Sequence, residues 1–312
     1  MGPRLNRSLL LPYGLYYAKN FLRPAEREEL LQELRVFRPI WEWRHRDPSA
    51  VVVGGDGGGG ERSPEKGEPP SETGNPTRRS LLRPVYWLGQ WQFACLNYYR
   101  PPKGIDFRCV DAEEFPPFLQ RVAERIEAIV HQVFRSHDIP KGWHLNSCLM
   151  NYYGCKRVGD RWIDTARVGE HKDYEPGPIA SLSFGDRALF QFVASRSKKG
   201  GSRVVRQMWL EDSAVQIFGS DTWKKKFFHR VQRVEKKMIP VASPPTLSPL
   251  LPSIPDFHTR RLNLTLRYVP TEHVQSLHDF PPALKADIVP YVAQIAKNSP
   301  FFAQLLSEFS SN

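Results

Sequence analysis

The chain has 312 residues, of which 40% are hydrophobic and 12% aromatic, including eight tryptophans. This composition is typical of a globular protein and excludes a chain that is disordered throughout. The formal net charge of +11 favours an anionic partner, with nucleic acid the best match, although a soluble basic protein need not bind one.

The four cysteines, Cys95, Cys109, Cys148 and Cys155, contain no Cys-x-x-Cys pair, so neither a zinc ribbon nor a disulfide framework is predicted. We expect reduced thiols in an intracellular protein of the cytoplasm or, in a eukaryote, also of the nucleus. The N-terminal residues show no secretory signal pattern. No stretch approaches the roughly 18 apolar residues that a membrane span needs, so we expect no membrane partner. The oligomeric state is not predicted.

Residues 1–46 are predicted to form an N-terminal strand and helix that support the rest of the chain. The helix covers residues 25–35, with Pro24 in its first turn and Leu30, Leu31 and Leu34 as an apolar stripe. Residues 47–80 are rich in Gly, Pro, Ser and charge, and cannot bury enough apolar surface to offset the entropy of ordering. They are therefore predicted to be a disordered insertion.

Residues 81–140 form the predicted substrate-recognition and supporting-helix region, with the helix at 116–137. Tyr86, Trp87, Trp91 and Phe93 make this region dense in aromatic rings. Such rings either pack in the core or stack on a planar substrate. The sequence leaves both alternatives open.

Residues 141–270 are dominated by short strand patterns separated by Gly, Asp and Ser. This spacing predicts an α+β protein with a double-stranded β-helix, or jelly-roll, core. Residues 271–312 predict a C-terminal helical extension, with helices at 281–296 and 301–309. The predicted core strands cover residues 143–153, 179–184, 188–193, 204–210, 214–218, 227–234 and 261–269.

A possible metal site begins at His171 and Asp173, since side chains at i and i+2 of an extended segment share a face. Two imidazoles and one carboxylate form the facial triad that holds non-haem Fe(II) and leaves positions open. His229 follows on a later strand, 56 positions beyond Asp173, and is the candidate for the third ligand. Alternatively, the His-x-Asp pair lies in a solvated turn and His229 in an apolar core.

Residues 261–267 alternate strictly between polar and leucine side chains, which puts Arg261, Asn263, Thr265 and Arg267 on one face. Two buried arginines need an anion. A dicarboxylate such as 2-oxoglutarate would meet that need through bidentate contacts. An edge strand with its arginines facing water is the alternative. Asn151 and Tyr153 repeat the i, i+2 spacing and could contact the same anion.

Together these motifs resemble the AlkB family of Fe(II)/2-oxoglutarate dioxygenases. The resemblance covers roughly residues 143–269. It implies that the cofactor and co-substrates are Fe(II), 2-oxoglutarate and O2, and that His171, Asp173 and His229 are the iron ligands and catalytic centre. It implies that Arg261, Asn151 and Tyr153 hold the distal carboxylate of 2-oxoglutarate, and that Asn263 and Arg267 lie near its keto-acid end.

The resemblance further implies oxidative demethylation of N-alkylated bases in DNA or RNA, with release of formaldehyde, succinate and CO2. Glu175 occupies the position that contacts the base in repair members of the family; a solvated carboxylate near a turn is the alternative. The base must be flipped or single-stranded to enter such a site. The alternative substrate is a protein side chain, and the alternative class is a binding module without activity.

A basic stretch at residues 195–240 holds 12 Lys or Arg against 4 Asp or Glu. The stretch contains His229 and includes Lys224, Lys225 and Lys226 shortly before it. If the fold brings this stretch to the rim of the metal site, it would attract phosphates. The alternative is a set of solvated cations on an outer face.

Overall fold

Strands with alternating polar and apolar residues pair into antiparallel sheets in the computed structural model, which describes residues 11–45, 78–96, 108–165, 167–194, 202–232 and 250–310. The strands are β1 (Leu15–Ala18), β2 (Trp43–His45), β3 (Arg78–Ser80), β4 (Val85–Leu88), β5 (Gln90–Trp91), β6 (Val110–Asp111), β7 (Ser147–Val158), β8 (Arg161–Asp164), β9 (Val168–His171), β10 (Ile179–Gly185), β11 (Ala188–Val193), β12 (Val204–Leu210), β13 (Ala214–Phe218), β14 (Phe228–Gln232) and β15 (Phe257–Arg267). The α-helices are α1 (Pro24–Leu34), α2 (Pro117–Val133), α3 (Pro282–Ala296) and α4 (Pro300–Ser310).

A seven-stranded sheet has the order β1-β13-β10-β15-β7-β4, with β8 added beside β7. A four-stranded sheet has the order β12-β11-β14-β9. The pairing within both sheets is antiparallel. The architecture is therefore α+β, with antiparallel sheets and flanking helices.

One buried apolar cluster joins the two sheets. It combines Ile179 and Phe218 of the larger sheet with Phe190, Phe192 and Leu210 of the smaller sheet. Burial of such rings and aliphatic side chains is the main force that holds two sheets together. The sheets thus face each other, and polar side chains at the edge of this cluster are held in a fixed position between them.

The opposite face of the larger sheet is covered by helices. The leucines of β15, Leu262, Leu264 and Leu266, are fully buried there. They share this core with Leu31 of α1 and Ile126 of α2. Alternation then turns the intervening polar residues of β15 toward the smaller sheet, as the sequence predicted.

Several predicted boundaries are confirmed, and others differ. β11, β12 and β13 have the predicted bounds. The helix predicted at 116–137 ends at Val133, and a short 3-10 turn follows at Ser136–Asp138. The strand predicted at 143–153 begins later, at Ser147, and ends later, at Val158, because it continues into a hairpin with β8.

The predicted insertion lies mostly outside the described residues. Its last three residues, Arg78–Ser80, form β3 and pair with β2. All four cysteines are buried and free, as expected. Among helices of the described ranges, none combines the length and apolar character that a membrane crossing requires.

Candidate active site

Three donor groups meet between the sheets. His171 ends β9 and is the cross-strand partner of His229 on β14, so the two ring centroids are only 4.2 Å apart. Asp173 lies two residues beyond β9, with Oδ2 3.2 Å from His229 Nε2. One donor atom from each of the three residues lies within 4.8 Å of the others. The structure thus brings together all three predicted metal ligands.

The protonation states of this cluster fit a divalent metal ion. Burial and the neighbouring His229 lower the pKa of His171 to about 3, so its imidazole is neutral. The Nδ1 of His171 is 2.8 Å from the Gly169 carbonyl, which leaves Nε2 to bind a metal. Burial opposes ionisation of Asp173, but Arg267 and His229 hold its pKa well below the usual range. Imidazole nitrogens and a carboxylate are the ligands that suit Fe(II).

Aromatic rings fix the orientation of His229. Phe190 is stacked on the imidazole at 5.4 Å between centroids, and Phe218 contacts it edge-on at 5.2 Å. These rings belong to the cluster that joins the two sheets. The same apolar packing that closes the sheets therefore holds this imidazole in place.

Arg267 connects the cluster to Glu175. Its Nη2 donates to Asp173 Oδ1 at 2.9 Å, and its Nε lies 3.1 Å from Glu175 Oε1. Glu175 is only 4% exposed, so it is not the solvated carboxylate that the sequence left as an alternative. Burial and Asp173 raise its pKa, against the opposing Arg267 cation. Its Oε2 has no hydrogen-bond partner in the described part of the chain.

A cavity of about 450 Å³ extends from the donor cluster along the inner face of the larger sheet. Its size falls within the range of small-molecule sites. Its wall includes all three donor residues and most of the predicted co-substrate residues. These lining residues are His171, Asp173, His229, Asn151, Tyr153, Asn263, Thr265 and Arg267.

Arg261 lies behind this wall. Its guanidinium carbon is 4.9 Å from the centroid of the Tyr153 ring, and its Nη2 donates to Ser183 Oγ and Asn263 Oδ1. Its Nε and Nη1 are buried without hydrogen-bond partners among the described residues. Ser181 Oγ also donates to Asn263 Oδ1, so the Asn263 oxygen is used within the protein.

The aromatic stretch contributes to both the core and the cavity wall. Tyr86, Trp91 and Phe93 are core residues, with Trp91 stacked on Phe93 at 4.8 Å. Trp87 also touches the core, but its ring lines the cavity. The guanidinium carbon of Arg267 is 5.9 Å from that ring.

Two charged residues of the cavity wall, Glu42 and Arg83, were not identified from the sequence. Glu42 is 1% exposed and accepts hydrogen bonds from Trp91 Nε1 and the Ala94 amide. Burial raises its pKa to about 7, against these hydrogen bonds and the neighbouring Arg83. Arg83 lines the same cavity. Neither belongs to a motif with chemical meaning, and no local pattern could have identified them.

Two parts of the basic stretch at residues 195–240, one around Ser202 and one around Lys225, reach β9, which carries His171, and the residue after it. These parts are the two basic stretches. Ser202 Oγ donates to both oxygens of Glu170, and Lys172 Nζ donates to the Lys225 carbonyl. Lys225 and Lys226 are exposed. Lys224 is buried instead, and its Nζ donates to the carbonyls of Glu175 and Gly177. Its expected place on a cationic rim is therefore wrong.

The family model described as "2OG-Fe(II) oxygenase superfamily" matches residues 14–267. The chain belongs to the 2OG-Fe(II) oxygenase superfamily. It is therefore an Fe(II)- and 2-oxoglutarate-dependent dioxygenase, and the predicted enzyme class and cofactors are confirmed. Members of the superfamily use Fe(II), 2-oxoglutarate and O2, and the His-Asp-His cluster described above is able to hold the metal.

Solved structures of other proteins are similar to this chain. OsALKBH1 has a TM-score of 0.44 and 19% identity, covering 83% of this chain and 100% of its own. YcfD, a ribosomal oxygenase from Escherichia coli, has a TM-score of 0.27 and 10% identity, and the match covers 95% of this chain and 66% of YcfD. A second E. coli ycfD structure has a TM-score of 0.28 and 10% identity, and the match covers 96% of this chain and 69% of that structure. No curated protein matches the chain significantly. With TM-scores below 0.5, these likenesses carry no argument about substrate.

Proposed function

We propose that this oxygenase removes N-alkyl groups oxidatively from bases of single-stranded or base-flipped DNA or RNA. The supporting observation is the junction of the donor cluster with the two basic stretches. Both stretches are attached to β9 and the loop after it, through Ser202–Glu170 and Lys172–Lys225. Lys225 and Lys226 are exposed cations on a segment attached next to a proposed metal ligand, and such cations favour a polyanionic substrate.

The proposed roles of the site residues follow from their positions. His171, Asp173 and His229 would hold Fe(II), which supplies the activation of O2 that drives the oxidation. Arg267 keeps Asp173 ionised and oriented through a buried ion pair. Phe190 keeps the His229 ring in place. These side chains are fixed before any ligand binds, as catalysis by a preorganised site requires.

The co-substrate would occupy the cavity between the metal ligands and Tyr153. Asn151 and Tyr153 line that path, and Arg261 lies behind Tyr153 with two buried N–H groups that lack partners. Leaving such groups unpaired costs about 1–3 kcal/mol each. A carboxylate that reached past Tyr153 would satisfy them, and this is the position we propose for the distal carboxylate of 2-oxoglutarate.

The proposed substrate subsite lies at Glu175 and Trp87. Glu175 lies behind the cavity wall beside Arg267, and its Oε2 is buried without a hydrogen-bond partner in the described structure, so an exocyclic amine that reached past Arg267 could donate to it. Trp87 offers an aromatic wall in the cavity. A base within a duplex cannot reach a site between the two sheets, so it would have to be flipped or unpaired.

The architecture proposed for this function is a jelly-roll core at residues 141–270. The N-terminal support at 1–46 and the region at 81–140 would flank it, with an insertion at 47–80 and a helical extension at 271–312. The two facing antiparallel sheets support a jelly-roll core, and β1 and β4 extend the larger sheet from the two flanking regions. Residues 81–140 would contribute to substrate recognition through Trp87.

The test is incubation with separate pools of methylated DNA, methylated RNA and methylated peptides, together with Fe(II), ascorbate and 2-oxoglutarate. We expect loss of 14 mass units from a nucleic-acid pool, with formaldehyde and succinate formed in equal amounts. His171→Ala serves as the inactive control. Demethylated or hydroxylated peptide, with both nucleic-acid pools unchanged, would replace this proposal by the protein-substrate alternative.

A further inference from the structure

Arg83 lies two residues before β4, at the edge of the larger sheet. β4 pairs with β7 so that Val85 is opposite Asn151. The side chains of Arg83, Val85 and Asn151 all line the cavity. Arg83 therefore reaches the proposed co-substrate site from a part of the chain outside the metal-binding motifs.

Arg83 determines the orientation of the Asn151 side chain. Its Nε donates to Asn151 Oδ1 at 2.6 Å, and hydrogen bonds from a charged donor are stronger than neutral ones. Asn151 is buried and carries one acceptor oxygen and one NH2 donor group. With the oxygen bound to Arg83, the Nδ2 group is left to donate to a ligand.

Arg83 and Arg261 flank the same aromatic ring. The guanidinium carbon of Arg83 is 5.5 Å from the centroid of the Tyr153 ring, and that of Arg261 is 4.9 Å from it. Burial lowers the pKa of Arg261, and Arg83 lowers it further while Tyr153 opposes the change. The two cations thus destabilise each other unless an anion lies near them.

The carboxylates on the cavity wall are engaged elsewhere. Glu42, which neighbours Arg83, accepts hydrogen bonds from Trp91 and Ala94 through its two oxygens, and burial raises its pKa to about 7. Asp173 is paired with Arg267, and Glu170 with Arg230 at 2.6 Å. The end of the cavity beside Tyr153 is therefore cationic, and it suits a carboxylate from a ligand.

We infer that Arg83 is a positioning residue for the distal carboxylate of 2-oxoglutarate. It fixes Asn151 as a hydrogen-bond donor and adds a second positive charge to that of Arg261. The inference rests on the proposed function, in which this cavity holds the co-substrate. It concerns a residue outside the set that the sequence motifs identified.

The test compares two keto acids by calorimetry, with Mn²⁺ in place of iron so that no turnover occurs. 2-Oxobutyrate has the same chelating keto-acid group as 2-oxoglutarate but no distal carboxylate. Arg83→Gln should weaken 2-oxoglutarate binding about tenfold, as expected for losing one charged hydrogen bond. It should leave 2-oxobutyrate binding unchanged. Arg83→Lys, which keeps the charge, should fall between wild type and Arg83→Gln.

Arg187→Gln is the matched control, because Arg187 also lies over an aromatic ring, Trp209 at 4.4 Å, but does not line the cavity. It should bind both keto acids as wild type does. The inference is overturned if Arg83→Gln has the wild-type ratio of 2-oxoglutarate affinity to 2-oxobutyrate affinity. It is also overturned if Arg83→Gln weakens the binding of a methylated oligonucleotide but of neither keto acid. If the wild type binds no 2-oxoglutarate, the proposed function itself fails and this inference with it.

Discussion

Arg267 and Asp173 form a buried ion pair in which Arg267 Nη2 lies 2.9 Å from Asp173 Oδ1. The other Asp173 oxygen lies 3.2 Å from His229 Nε2. One carboxylate is thus shared between a structural cation and the proposed metal site. Removing one partner of a buried pair leaves an uncompensated charge and costs about 3–5 kcal/mol.

We therefore expect Arg267→Met to destabilise the metal-free protein by about 3–5 kcal/mol, measured by urea unfolding in a chelator. Arg121→Met is a suitable control, because the Arg121–Glu29 pair is exposed on both sides. An exposed pair contributes at most about 1 kcal/mol. Equal stabilities of the two variants would show that the buried pair is not needed for folding.

The second prediction concerns the metal. His229→Ala should lower Fe(II) affinity by more than about 100-fold, since even the loss of an outer hydrogen-bond partner costs 10–100-fold. His171→Ala should behave in the same way, and both should abolish succinate formation. Metal content after dialysis and succinate release are the measurements. His258→Ala, in which an exposed imidazole beside Trp162 is lost, should retain both.

Normal turnover of 2-oxoglutarate by His229→Ala would show that the third ligand has been assigned wrongly. The circular dichroism spectrum of each variant should match that of the wild type, because the sheets are held mainly by the surrounding aromatic and aliphatic side chains.

The third prediction concerns Arg261. Arg261→Lys keeps the charge but loses the forked guanidinium. We expect the KM for 2-oxoglutarate, measured by succinate formation, to rise about tenfold or more, because bidentate charged contacts are among the strongest hydrogen bonds. An unchanged KM would mean that the two unpartnered N–H groups of Arg261 do not contact the co-substrate.

The fourth prediction concerns Glu42 and pH. Its pKa rises from the usual 4.5 to about 7 in the folded protein, which corresponds to about 3 kcal/mol. Between pH 4.5 and about pH 7 the folded state keeps the Glu42 proton that the unfolded state has released. The contribution of Glu42 to the free energy of unfolding is therefore lost as the pH rises.

Glu42→Gln removes this titration while keeping the shape of the side chain. The difference in unfolding free energy between wild type and Glu42→Gln should therefore fall by about 3 kcal/mol from pH 4 to pH 8. Urea unfolding at several pH values measures it. A difference that is independent of pH would show that Glu42 titrates near its usual pKa despite its burial.

The fifth prediction concerns the substrate. For a single-stranded methylated oligonucleotide, log affinity should fall linearly with log salt, by about 0.7 for each phosphate contact. Lys225→Ala/Lys226→Ala should reduce that slope by up to about 1.4. Lys224 is spared in this variant, because its buried Nζ supports the backbone at Glu175 and Gly177.

Lys19→Ala/Lys297→Ala is the matched control, since both lysines are exposed and neither lines the cavity. It should keep the wild-type slope. Turnover of 2-oxoglutarate without nucleic acid should be equal in all three proteins. Salt-independent binding in the wild type would contradict a nucleic-acid substrate and favour a protein side chain.

Local periodicity determined much of this protein. The strands at Ala188–Val193, Val204–Leu210 and Ala214–Phe218 were predicted at their observed bounds, because alternation is a property of neighbouring residues. The same rule turned Leu264 toward the helices and Asn263 toward the cavity. Spacing of two residues also placed His171 beside Asp173, and motif order suggested His229.

Tertiary structure alone decided the contacts between distant segments. Arg83 meets Asn151 from 68 positions away, and Arg267 meets Asp173 from 94 positions away. Such pairs depend on the order and register of strands in the sheet, which local patterns do not specify. Lys224 was also beyond prediction from local patterns. A run of three lysines suggests a solvated surface, but the tertiary packing buries Lys224.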